Sequence, residues 1–206
     1  MGTKERRERE RQMLRQGILA AARDIAGQEG WQAVTIRRVA ERVEYSPPTI
    51  YEHFASKEAM LLELMRAGFV LLLADMRRAA DAEQGAEARV VALGQAYCAF
   101  AWHNPQLYQL MHGLGVPFCA GEGAAQPGIA LAEADAVFEY TLAALADLAP
   151  RLSSRAELED AVMILWATLH GLVSLSMSGR IEASPECRAR LVDRAVRGFF
   201  TAYIAE

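Results

Sequence analysis

Thr49, Tyr51 and His53 are the residues of this chain whose types and spacing best suit a chemistry. They follow Ser46-Pro47-Pro48 at alternate positions, and all three carry hydrogen-bonding side chains with little net charge. On a short helix such side chains suit reading of base edges and contact with phosphates in a DNA major groove. Bond-making chemistry has no comparable set. Ser174, Ser176 and Ser178 follow His170, but a helix places none of them in a nucleophile elbow. No paired acids have an evident reason to shift their pKa, so no catalytic residue is expected. His53, His103, His112 and His170 form no HxxxH or HxxE pair, so neither a metal nor a cofactor is expected. Cys98, Cys119 and Cys187 are odd in number and far apart. They show no disulfide framework and fit a reducing cytoplasm.

Two short helices must position the first three residues. Thr35 can cap the first through its hydroxyl. Ile36, Val39, Ala40 and Val43 then recur at helical spacing and give one apolar face, while Arg37, Arg38, Glu41 and Arg42 fill the other. Glu44-Tyr45 forms the turn. Ser46 caps the second helix, and Pro47 and Pro48 occupy its first two positions, where no helical acceptor exists for their missing N–H. This helix is expected to run to about Phe54. Ile50 and Phe54, four apart, pack on the first helix and leave Thr49, Tyr51 and His53 pointing elsewhere.

Residues 35–57, TIRRVAERVEYSPPTIYEHFASK, resemble the helix-turn-helix of the TetR family of transcriptional regulators. The matching residues are Thr35-Ile36, Val39-Ala40, Ser46, Thr49-Ile50-Tyr51, His53-Phe54 and Ser56-Lys57-Glu58. The resemblance implies a DNA-binding set of Thr35, Arg37, Ser46, Pro47, Thr49, Tyr51, His53 and Lys57. Lys57 would meet phosphate through its side chain and Thr35 through a helix N-terminus. Glu44 departs from the family, which usually has glycine there. Glycine accepts positive φ at no cost, so Glu44 must carry strain or use a different turn.

Charge is divided unevenly. Residues 1–58 carry net +2 and residues 59–206 net −6, within a total of −4. A basic end on an acidic body fits a DNA-binding head, residues 1–56, attached to a body, residues 57–206, that does something else. The acidic body mildly favours neutral or cationic ligands. The start, MGTKERRERERQ, is charged and lacks a following apolar core, so it does not read as a signal peptide. The longest apolar runs, 69–74 and 162–169, are too short to span a bilayer, and no membrane partner is expected.

The chain reads as all-α, a three-helix head plus a helical bundle, about nine helices in all. The first helix covers about 6–28, with the stripe Leu14, Ile18, Ala21, Ala22 and Ile25. Lys4, Arg6 and Arg7 ahead of it are either an arm reaching DNA or a solvated helix end. Ser56 caps a long helix over about 57–80, linking head to body. Helices over 86–104 and 105–112 follow, then a loop over 113–128 with five glycines and two prolines. The last three helices cover about 129–149, 155–179 and 185–205. The helix over 155–179 is apolar almost all round and is expected to bury more than one face.

Residues 166–171, WATLHG, and NPQLYQLM at 104–111 resemble a subgroup of TetR regulators named for a Trp-His-Gly motif. That implies a regulatory domain that binds a ligand or a second copy. Tyr97, Phe100, Tyr108, Phe138, Trp166 and His170 can line a pocket for a mostly apolar effector. Each is also a candidate for plain core, His170 included, and Phe118 belongs to the same aromatic set. A dimer on a palindromic operator needs a second apolar surface. Ala167, Gly171, Ser174 and Ser178 form a ridge of small residues, and Val192, Val196, Phe199 and Tyr203 form a stripe on the last helix. These eight are the expected dimer interface, in the four-helix arrangement the resemblance also implies. The reading is a cytoplasmic, ligand-responsive repressor acting as a homodimer on double-stranded DNA. The alternative is a helical interaction module whose head binds another protein.

Overall fold

A computed structural model describes residues 2–113, 131–148, 152, 154–181 and 184–203. Among these residues there are nine α-helices and no strand: α1 (Thr3–Glu29), α2 (Ile36–Arg42), α3 (Pro47–Tyr51), α4 (Lys57–Asp81), α5 (Ala86–His103), α6 (Pro105–Met111), α7 (Ala132–Leu148), α8 (Arg155–Met177) and α9 (Pro185–Tyr203). A 3₁₀ turn over Trp31–Ala33 joins α1 to α2. The loop expected over 113–128, with Phe118 and Cys119, lies outside the described residues after Gly113.

The chain forms two compact units, divided inside α4. The first takes in Met1–Gly68 and returns to collect the stretch beginning at Gln106. Its core joins Ile18, Ala22 and Ile25 of α1 to Val39, Ile50, Phe54, Met60 and Tyr108. Two details bring α6 into this unit. Trp31 donates its indole N–H to the Gln106 carbonyl at 2.8 Å. Gly68 on α4 lets α6 approach closely: a Cβ there would stand 2.5 Å from Met111 Sδ and 3.1 Å from Leu107 Cγ. A side chain at Gly68 would require Met111 or Leu107 to shift.

The second unit takes in Phe69–Pro105 and α7 to α9. Here α5 is central and packs against α7, α8 and α9. Ser154 starts α8 with a capping box, its hydroxyl accepting from Glu157 N–H at 3.2 Å while Glu157 Oε2 accepts from Ser154 N–H at 3.1 Å. By length and composition α8 is apolar enough to cross a membrane. It serves instead as one helix of a four-helix packing, burying Ala161, Val162, Leu165, Leu169 and Val173 on a single face. The opposite face, with Met163, Ile164 and Leu175, is exposed. Within the single chain α8 therefore buries one of the faces expected to be buried.

Candidate nucleic-acid interface

Local sequence builds the helix-turn-helix as expected. Thr35 caps α2, its hydroxyl accepting from Arg38 N–H at 3.2 Å. Glu44 takes the turn at φ 61°, the one non-glycine residue with positive φ among the described residues. The chain therefore keeps the turn that glycine would make easily and holds a glutamate in it. Ser46 stands at the N-cap of α3 in extended conformation. Its hydroxyl lies 3.0 Å from Thr49 Oγ1 and makes no cap bond to the backbone. The helix ends at Tyr51, three residues earlier than expected, and His53 N–H turns back to the Ile50 carbonyl at 3.0 Å.

This geometry separates the faces of α3. Ile50 and Phe54 are buried, whereas Tyr51 is 55% exposed. Thr49 and His53 are half-buried beside it, and Ser46 and Pro47 are exposed. Arg37 projects from α2 and pairs with Glu41 at 2.9 Å. Lys57 departs most from the expected role: its Nζ donates inward to the Trp31 carbonyl at 3.4 Å. That bond engages one of its three donors. The surface also presents Tyr45, 51% exposed on the turn, which sequence reasoning passed over. An exposed aromatic inside an otherwise polar turn was the available signal. Lys4, Arg6 and Arg7 lie within α1, in line with the helix-end alternative.

A long-range clamp fixes the end of α3. Arg15 of α1 donates Nη1 to the His53 carbonyl at 2.5 Å and Nε to Glu63 at 3.0 Å, and pairs with Glu63 through Nη2. Its guanidinium also lies 4.2 Å from the centroid of the Phe54 ring. His53 Nδ1 is buried with no hydrogen-bond partner among the described residues. Burial pushes the His53 pKa below its ordinary 6.5, and Arg11 and Arg15 lower it further. Both effects favour the neutral imidazole, and with Nδ1 buried only Nε2 remains for a contact outside the fold.

The residues expected to line a ligand pocket divide between the units. Tyr108 is buried in the first, its ring 4.3 Å from that of His112. Tyr97 and Phe100 are buried in the second, on α5. Phe138 and Trp166 meet edge to face, 5.5 Å between centroids. His170, one turn beyond Trp166, is half-buried, and burial lowers its pKa.

The expected dimer stripe on α9 requires correction. Val192, Val196 and Phe199 are buried inside their own unit. A Cβ on Gly94 of α5 would meet Val196 Cγ2 at 2.8 Å, so α9 already rests against α5 with these residues between them. They are unavailable to a partner. The side chain of Tyr203 lies outside the described residues. On α8, Ala167, Ser174 and Ser178 are exposed and Gly171 is half-exposed.

Residues 18–64 match the model of bacterial regulatory proteins of the tetR family. Residues 90–199 match the Tetracyclin repressor-like C-terminal domain, across the segment that resembles the Trp-His-Gly subgroup. An HTH-type transcriptional regulator of Bacillus subtilis, YobS, is 32% identical over 92 residues, which are 45% of this chain and 48% of that protein. This chain thus spans about half of that relative. An HTH-type regulator of Mycobacterium tuberculosis is 26% identical over 177 residues, 81% of this chain and 72% of its own. A solved structure from Rhodococcus sp. RHA1, of a protein of unknown function, shares the fold with a TM-score of 0.75 and 24% identity, covering 92% of this chain and 95% of that one.

Proposed function

The chain belongs to the TetR family of bacterial regulatory proteins, and we propose that it is a homodimeric repressor that releases a palindromic operator when an effector binds. As a family member it is a DNA-binding transcription regulator and not an enzyme. The observation that carries the proposal is the split of α3 into a pinned face, Ile50 and Phe54, and an outward face led by Tyr51. Tyr45 on the turn and Arg37 on α2 are exposed as well. Thr49, Tyr51 and neutral His53 would read base edges. Ser46, Pro47, Arg37, Lys57 and the first N–H groups after Thr35 would meet the backbone.

The dimer would form on the exposed face of α8. Ile164, Ala167, Gly171, Ser174 and Ser178 recur there at spacings of three, four, three and four. A second α8 could approach such a ridge closely, flanked by Met163 and Leu175. About 1,200–2,000 Å² of total burial makes a stable pair, and a two-fold axis would set the two α3 helices roughly 34–36 Å apart. A mostly apolar effector near Phe138, Trp166 and His170 would act by favouring a different head spacing, since a ligand shifts only states it binds unequally. The protein would work in the cytoplasm, where its DNA lies.

Selection of bound sequences from random duplex DNA by the purified protein tests this reading. The expected product is a palindrome whose half-sites lie one helical turn apart. Its affinity should fall steeply with salt, as phosphate contacts require. Recovery of no consensus, or an affinity indifferent to salt, would favour a head that binds another protein.

A further inference from the structure

We propose a second small-molecule site on the second unit, between the end of α5 and the start of α9, that holds a small apolar carboxylate. It is independent of the effector reading above: neither Trp166 nor Phe138 lines it. Gln95, Ala99 and Trp102 of α5 face Pro185, Arg188 and Val192 of α9 across a cavity of about 490 Å³, within the range of small-molecule sites. Gln95 and Pro185 are exposed and mark the mouth, Val192 is buried at the floor, and Trp102 and Arg188 are half-buried between them.

Two of the polar groups in this wall are buried and donate only, whereas Gln95 and His103, which also line it, are exposed and can donate or accept. Trp102 Nε1 and Arg188 Nε are buried and have no hydrogen-bond partner among the described residues. The Arg188 guanidinium lies 5.0 Å from the centroid of the Trp102 ring. Indole and guanidinium groups donate and never accept, and a buried donor without a partner keeps its desolvation cost uncompensated. What these two buried donors lack is therefore an acceptor. A fixed guanidinium selects a negatively charged one, best a carboxylate, which it can grip with two parallel bonds. The start of α9 reinforces the choice. Ser184 caps it through Cys187 N–H at 3.3 Å, and the positive end of the helix dipole lies beside Arg188. Glu186 is exposed and does not line the cavity. The remaining wall is largely apolar, with Ala99, Ala189, Val192 and the Trp102 ring, so the carboxylate should carry an aliphatic or aryl body.

Octanoate, octanol and octylamine share one body and differ in the head group, so they separate the charge from the apolar contribution. Octanoate should bind saturably by calorimetry and raise the melting temperature. Octanol should bind at least tenfold more weakly, and octylamine should give no saturable heat. Arg188→Met keeps the apolar stem and should weaken octanoate at least tenfold with unchanged helix content. Ala189→Phe, which narrows the mouth and leaves the charge in place, should do the same and decides the matter if Arg188→Met fails to fold. Equal binding of octanoate and octylamine, no octanoate binding, or octanoate binding unaltered by the folded variants would overturn the site.

Discussion

Replacing Glu44 with glycine should stabilise the first unit, and the size of the gain follows from one dihedral. At φ 61° a residue with a Cβ carries about 1–2 kcal/mol of steric cost. Glycine removes that cost but loses about 0.5–1 kcal/mol through the greater freedom of the unfolded chain. Glu44 is exposed, so little packing is forfeited. The net expectation is a gain of about 0.5–1 kcal/mol, read as a higher urea midpoint with unchanged slope. Two controls separate backbone from charge. Glu44→Ala removes the carboxylate and keeps the strain, whereas Glu44→Asn brings a side chain that tolerates left-handed backbone. The expected order of stability is glycine, then asparagine, then alanine. A glycine variant no more stable than the alanine variant would show that the turn holds no strain and would refute the reasoning.

A Cβ at Gly171 meets nothing within 4 Å in the single chain. Gly171→Arg should therefore fold normally, yet bury an unpaired charge if a second α8 packs there, at a cost of several kcal/mol. Light scattering at micromolar concentration should find a monomer with native helix content, and a dimer would rule out this face. His53 offers a pH test. Its pKa is lowered in the folded state below its ordinary 6.5, so the unfolded chain binds the proton more readily. Stability should be full above pH 6.5 and decline as pH falls through 6.5 toward the lowered folded value. His53→Gln should flatten that part of the urea-midpoint profile, and an unchanged slope would place the titration elsewhere.

Most of the fold was legible because its signals are local. Thr35, Ser56 and Ser154 announce helix starts through their hydroxyls, and each accepts from an N–H three residues on. The Pro47-Pro48 pair fixes the start of α3. Its early end was not legible, because it depends on Arg15, whose partners His53 and Glu63 lie 38 and 48 residues away. The α9 stripe shows a second limit. An amphipathic pattern says that a face is buried and not what buries it, and Gly94 on α5 gave no sign in sequence that it would admit Val196. The division within α4 was hidden for the same reason, since the α6 partners of Gly68 lie beyond the whole of α5 in sequence. At the candidate interface the exposed role of Tyr51 was readable from Ile50 and Phe54. The inward bond of Lys57 to the Trp31 carbonyl was not.

The central claim is that the outward face of α3 reads DNA, and Tyr51→Ala tests it most directly. Tyr51 is more than half exposed, so its loss should leave the fold and melting temperature intact. Loss of a good base or phosphate contact costs about 1–3 kcal/mol. Fluorescence anisotropy on the selected operator should therefore show affinity reduced roughly 5–150-fold at fixed salt, following that same range. A folded Tyr51→Ala protein that binds the operator as tightly as the unaltered chain would contradict the account.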